Sequence, residues 1–156
     1  MPFKTFIYIC LISIFSWSCS EENEVTPQLD LIGQWKYVIM QDMGRTETLI
    51  DFRADSSFTL TISQFGLQPN TDPDELNALL VYPGLLNVKE EQIQFNIQEF
   101  TYTDYYFQTG PETLENKTVF YDNCTYKING DTLNLFYTSY PADAPIAAEQ
   151  NFVRVN

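Results

Sequence analysis

The chain has 156 residues, enough for one domain of ordinary size that folds without disulfides or metal. It carries 21 Asp+Glu against 8 Lys+Arg, a formal charge of −13, which argues against nucleic acid as a partner and against electrostatic attachment to anionic lipid. It contains no His, so the side chain best suited to proton transfer at neutral pH and the commonest ligand of zinc and iron are both missing.

Lys4 places a positive charge ahead of an apolar run, residues 6–15, that only Ser13 interrupts, and Ser16-Trp17-Ser18-Cys19 follows with small residues around a cut. This is the anatomy of an export signal over residues 1–18, and the run is half the roughly 20 apolar residues a membrane-crossing helix requires. A small residue at Ser18 directly before Cys19 resembles the lipobox of bacterial lipoproteins, which implies cleavage before Cys19 and acylation of its sulfur. Ser16 stands where that pattern commonly has Leu and Trp17 where it commonly has a small residue, a looseness that resembles the lipoproteins of Bacteroidota. Ser20-Glu21-Glu22-Asn23-Glu24 is similar to the acidic signal that carries such lipoproteins to the cell surface, and physically it is a polar tether, residues 19–28, that cannot bury a core. Several acyl chains, at about 0.8 kcal/mol per buried methylene, hold a protein at a membrane where one chain binds reversibly. The alternative is an ordinary secreted protein in which Cys19 stays a free thiol.

Loss of residues 1–18 removes Lys4 and leaves 7 Lys+Arg against 21 Asp+Glu, a net −14. Cys10 goes with the leader. Cys124 is then alone in the body, without the imidazole partner a thiol nucleophile usually has, and reads as a small buried side chain.

Residues 29–156 read as a single β-rich domain with 22 Phe plus Tyr over the whole chain. Strands are predicted at 35–41, 46–53, 57–63, 92–107, 117–128, 132–139 and 151–155, the longer segments having room for a bend or two strands. Asp42-Met43-Gly44, Ala54-Asp55-Ser56 and Asn129-Gly130-Asp131 supply turns, the last a strong hairpin cue. Phe58, Leu60 and Ile62 alternate with Thr59 and Thr61, and Ile93, Phe95 and Ile97 with Gln92, Gln94, Asn96 and Gln98, so one face is buried and the other wet. Between them, Asp72-Pro73-Asp74-Glu75 followed by Leu76, Leu79 and Leu80 predicts a short helix within residues 71–86, ended at Tyr82-Pro83-Gly84. Such a helix is a lid over an open end or an ordinary connection. Sequential antiparallel strands leave a sandwich or an up-and-down barrel open.

Leu31-Ile32-Gly33-Gln34-Trp35 resembles the Gly-x-Trp opening of lipocalins, and more closely that of lipocalin-like domains of Bacteroidota-type lipoproteins. The stretches 52–58 and 126–133 resemble the following and the late hairpins of that family, and Phe152-Val153-Arg154-Val155 its closing strand. The turn at Asp55-Ser56-Ser57 lacks the family's usual Gly, and 71–86 is longer than its connections. The resemblance implies an up-and-down barrel of about eight strands whose floor is built by Gly33, Trp35 and Arg154, the guanidinium stacking on the indole. It also places Tyr37, Phe58, Phe95 and Tyr137 as lining residues for a ligand.

No phosphate loop occurs, and no metal, cofactor or catalytic centre is indicated. Carboxylate pairs remain possible, and Asp72, Asp74 and Glu75, or Glu90 and Glu91, could be assembled into an acid-based glycan hydrolase or a calcium site, although neither cluster has a recognised ligand spacing. The sequons at Asn116 and Asn123 read as chance in a bacterial chain. The aromatic run Phe100, Tyr102, Tyr105, Tyr106 and Phe107 suits sugar stacking, a pocket wall or a partner, or plain cross-strand packing. The expectation is a non-enzymatic lipoprotein anchored in the outer membrane, at the cell surface or its periplasmic face, carrying a small hydrophobic ligand. A filled barrel that binds an envelope protein partner is the alternative.

Overall fold

The computed structural model describes residues 29–69, 71–141 and 144–156; the expected export signal, Cys19 and the tether lie outside them. Ten strands follow in order: β1 Gly33–Met40, β2 Arg45–Phe52, β3 Ser57–Phe65, β4 Leu76–Lys89, β5 Gln92–Asn96, β6 Glu99–Asp104, β7 Thr109–Glu115, β8 Asp122–Asn129, β9 Thr132–Ser139 and β10 Ile146–Arg154. All pairings are antiparallel, and the contact of β3 with β4 closes the sheet on itself. Eight strands, β1 to β5 and β8 to β10, form an up-and-down barrel, while β6 and β7 make a hairpin inserted beside the first half of β4. The expected all-β barrel is therefore the observed fold.

The alternation that marks the faces places Ile50 and Phe52 of β2, Phe58 and Leu60 of β3, Leu133 and Leu135 of β9 and Phe152 of β10 inside, each almost fully buried. Phe52, Phe58 and Phe95 pack ring on ring with centroids 5.2–6.4 Å apart. At the β8–β9 hairpin Asn129 pairs with Thr132 across a two-residue loop, and Gly130 supplies the positive φ that such a turn demands.

The helix expected within residues 71–86 is not formed. Asp72 uses its carboxylate to accept from the Asp74 amide and its carbonyl to accept from the Glu75 amide, so the start signal closes one turn and stops. Residues 76–89 are strand, because Ala78, Leu80, Tyr82, Gly84, Leu86 and Val88 alternate inward with period two, and tertiary pairing with β3 outweighs the helical spacing of Leu76, Leu79 and Leu80. Pro83-Gly84 sits where β4 exchanges β6 for β5 as its neighbour, so the missing proline amide leaves no ladder bond unmade on that side. A side chain at Gly84 would collide with the Phe58 ring, which lies across it.

The predicted 92–107 strand is two strands, β5 and β6, bent at Ile97 and Gln98, and β7 lies in a polar stretch with no strand prediction. β10 begins at Ile146, five residues before its predicted start, and the ordered strand of the 117–128 segment begins only at Asp122.

One end of the barrel is sealed. The Trp35 indole N–H donates to the Leu31 carbonyl at 2.8 Å, and the Arg154 guanidinium lies 4.1 Å over the indole ring. The same guanidinium donates to the carbonyls of Ile32 (2.9 Å) and Asp30 (2.6 Å), while Gly33, at φ 125°, brings the backbone close enough for this contact. Charge-assisted hydrogen bonds contribute about 1.5–3 kcal/mol each, so Arg154→Ala is expected to lower the unfolding free energy by about 2–4 kcal/mol in urea titrations. Arg154→Lys should recover less than half of that loss, because an ammonium cannot stack on the ring and reach both carbonyls in a fork.

Candidate functional site

The interior divides into two halves. Towards the sealed end, Leu31, Trp35, Phe52, Phe58, Leu133 and Phe152 leave 0–1% of their surface exposed, and that half is filled by the protein itself. Towards the other end, a cavity of about 770 Å³ opens between β2–β3 on one side and β9 with the residues preceding β8 on the other. Leu60, Ile62, Phe120 and Tyr137 give it apolar walls, and Thr48, Gln150 and Tyr121 add polar groups.

The segment leading into β8 does most to shape this space. Asn116 pins it by donating from its side chain to the carbonyls of Ile97 (3.2 Å) and Thr118 (2.9 Å), while its own oxygen accepts from the Thr118 amide. Phe120 then turns inward against Tyr82, with ring centroids 4.7 Å apart. Tyr121 packs between Phe95 (5.0 Å) and Tyr137 (4.9 Å), and its hydroxyl donates to the Gln150 side chain at 2.9 Å. Burial, followed by the neighbouring Tyr137, pushes the Tyr121 hydroxyl far above the ordinary tyrosine range, so it remains a neutral donor. Tyr137 is shifted upward as well, mainly by burial.

The four residues expected to line a ligand site separate. Tyr137 faces the open cavity and Phe95 borders a second, lateral cleft. Phe58 lies in the packed ring cluster, and Tyr37 rests on Phe152 at 5.7 Å. Phe120 and Tyr121 were not singled out from sequence, although the run Val119-Phe120-Tyr121 breaks the alternation expected of a strand. The acidic candidates also fall apart: Asp74 pairs with Arg45, which in turn holds Glu47, and Glu90 and Glu91 form the β4–β5 turn at the sealed end. Among the described residues no group of three or more His, Cys, Asp or Glu is placed to hold a metal ion. In the aromatic run, Phe100 stacks on Tyr82 and the Tyr102 hydroxyl donates to Asp104, whereas Tyr105, Tyr106 and Phe107 form the exposed tip of the β6–β7 hairpin.

Cys124 is buried beside this wall, and desolvation pushes its thiol up to about 12 from an ordinary 9.0. Its neutral form therefore favours the folded state below pH 9, and that contribution is lost as pH climbs from about 9 towards 12. Buried tyrosines with raised hydroxyls, Tyr121 and Tyr137 among them, add to the decline from their ordinary 10.0, so Cys124→Ala should lessen the fall in stability between pH 9 and 10, by at most about 1.4 kcal/mol, without abolishing it. Alkylation read at Cys124 by peptide mapping should be slow in native buffer and complete in urea. Compared with protein families, curated proteins and solved structures, the chain matches none.

Proposed function

We propose that the protein is a lipocalin-like lipoprotein of the cell envelope, anchored in the outer membrane by acyl chains on Cys19, which carries a small, largely apolar ligand without catalysis. The observation that carries this reading is the cavity of about 770 Å³ above a floor sealed by Trp35 and Arg154. A barrel closed at one end and hollow at the other is the arrangement by which eight strands hold one small molecule. The lining suits an amphipathic compound. Its apolar body would meet Leu60, Ile62, Phe120 and Tyr137, and a single polar group would reach Thr48, Tyr121 or Gln150. The leader ending at Cys19 and the acidic residues after it support the anchor.

A second reading rests on a different feature. The tip of the β6–β7 hairpin exposes Tyr105, Tyr106 and Phe107, with 66% of Phe107 open to solvent, as an anchor for a partner protein of the envelope would.

Native mass spectrometry of the full chain, extracted from envelopes in mild detergent, tests the first reading. Bound mass that organic extraction identifies as an apolar small molecule is the expected result. Ile62→Arg, which fills the cavity with a charged chain, should weaken binding of the uncharged fluorophore N-phenyl-1-naphthylamine by about tenfold or more, with the melting temperature nearly unchanged. A bare polypeptide mass together with no probe binding would overturn the carrier reading. Loss of a co-purifying protein on removal of the Tyr105, Tyr106 and Phe107 side chains would then establish the second.

A further inference from the structure

β5 and β8 share a single register pair, Gln92 with Thr125, and beyond it the two strands part. Through this gap a lateral cleft of about 390 Å³ runs from the outer surface to the rings of Phe95 and Tyr121. Its outer wall is the solvent face of the β4–β5 hairpin, where the cross-strand pairs Asn87 with Gln94 and Lys89 with Gln92 set four polar side chains in a grid. Facing them are Asp122 and Asn123, joined by a hydrogen bond of 3.0 Å from the Asn123 amide to the Asp122 carboxylate. The carboxamides of Asn87, Gln92 and Gln94 have no hydrogen-bond partner among the described residues.

Backbone conformation marks the same place independently. Tyr121 and Asn123 have φ of 52° and 50°, and both line the cleft. Ser56, Glu90 and Gln108, the other non-glycine residues with positive φ among those described, lie like Tyr121 in connections between successive strands, whereas Asn123 lies within β8. A tyrosine in the left-handed region is a genuine outlier, and such strain concentrates where a site requires it. Here the reversal sends the Tyr121 ring inward and leaves Asp122 and Asn123 on the cleft.

The lining selects a ligand class. Lys89 is its only cation, with Glu90 and Glu91 beside it and Asp122 opposite, so an anion finds no net attraction. One carboxylate does not hold a metal ion. Carboxamides both donate and accept, as hydroxyl groups do, and the exposed Val119 side chain with the ring edges at the base offers an apolar surface for C–H groups. Hydroxyls around an apolar ring face are the chemistry of a sugar, and the volume falls within the range of small-molecule sites, roughly 300–1,000 Å³. We infer that the β5–β8 cleft is a binding site for a neutral saccharide, held by the Asn87, Gln94 and Asn123 carboxamides beside Val119 and over a base formed by the edges of Phe95 and Tyr121.

The full chain, labelled with ¹⁵N and held in detergent, is to be titrated with glucose, galactose, mannose, N-acetylglucosamine and their α- and β-linked disaccharides. At least one sugar is expected to shift the side-chain amide resonances of Asn87, Gln94 and Asn123. Gln94→Leu and Asn123→Gly, the latter suited to the positive φ, should each weaken that sugar by about tenfold while the melting temperature stays close to that of the parent. No shift with any sugar would overturn the assignment, as would undiminished binding in both variants. Shifts centred on Leu60, Ile62 and Tyr137 would overturn it too, by placing the sugar in the open cavity. So would an extended peptide that shifts the Ile93 and Phe95 backbone amides where no sugar does.

Discussion

The barrel depends on how β1 meets β10. Along β1–β2, β2–β3 and β9–β10 the ladders run the length of the strands, but the closing row has only Trp35 opposite Arg154 and Lys36 opposite Val153. Side chains complete what the ladder leaves short. Arg154 holds the indole of Trp35 and two carbonyls of the incoming chain, and its own amide donates to Asp131 at 2.8 Å. The Val155 amide adds a bond to Gln34, and the Trp35 N–H ties Leu31 beneath the ring. One cationic side chain therefore joins the first strand, the last strand and the segment that precedes both. Because this junction is also the floor, the large residues gather there, and the open cavity is left in the opposite half.

The second short row, β5 with β8, has the opposite consequence. After β5 the chain bends at Ile97, rises through β6 and β7 along the first half of β4, and returns at Asn116. The wall is therefore not sealed by backbone pairing on that side. Phe120 and Tyr121 are inserted in its place, against Tyr82, Phe95 and Tyr137. A β4 of fourteen residues makes this detour workable, since it is long enough to support β3 on one edge and both β5 and β6 on the other.

Much of the wall was legible in the sequence, because strands with one wet face carry their own signal. Phe58, Leu60 and Ile62 alternate with threonines, and Asn129-Gly130-Asp131 has few readings other than a hairpin. β4 was misread because the adjacent Leu79 and Leu80 put leucine on both faces near its start, where Leu76, Leu79 and Leu80 are all half-buried, so helical and strand periods overlap. Its alternation runs from Ala78 to Val88, straight through the proline expected to end the segment. β7 is exposed at every residue and pairs on one edge only, so burial left no pattern in it. The cavity wall was legible in part. Tyr137 lies on an alternating strand, whereas Tyr121 owes its place to a left-handed backbone and to contacts distant in sequence.

The inserted residues bear on both hollow regions, since Val119, Phe120, Tyr121 and Asp122 border the open cavity and the lateral cleft alike. Tyr121 is the hinge of this arrangement, with Phe95 on the cleft side and Tyr137 on the cavity side. Its hydroxyl is buried, neutral and bonded to Gln150, so displacing it strands a polar group at a cost of about 1–3 kcal/mol unless the occupant replaces the bond. An apolar occupant of the cavity therefore does best by leaving Tyr121 where it is and filling the space beside Leu60 and Ile62. A deeper occupant must bring an acceptor for that hydroxyl or a donor for Gln150. The wall thus favours an apolar body with one polar end over a pure hydrocarbon, and while Tyr121 stays in place it keeps the two regions separate.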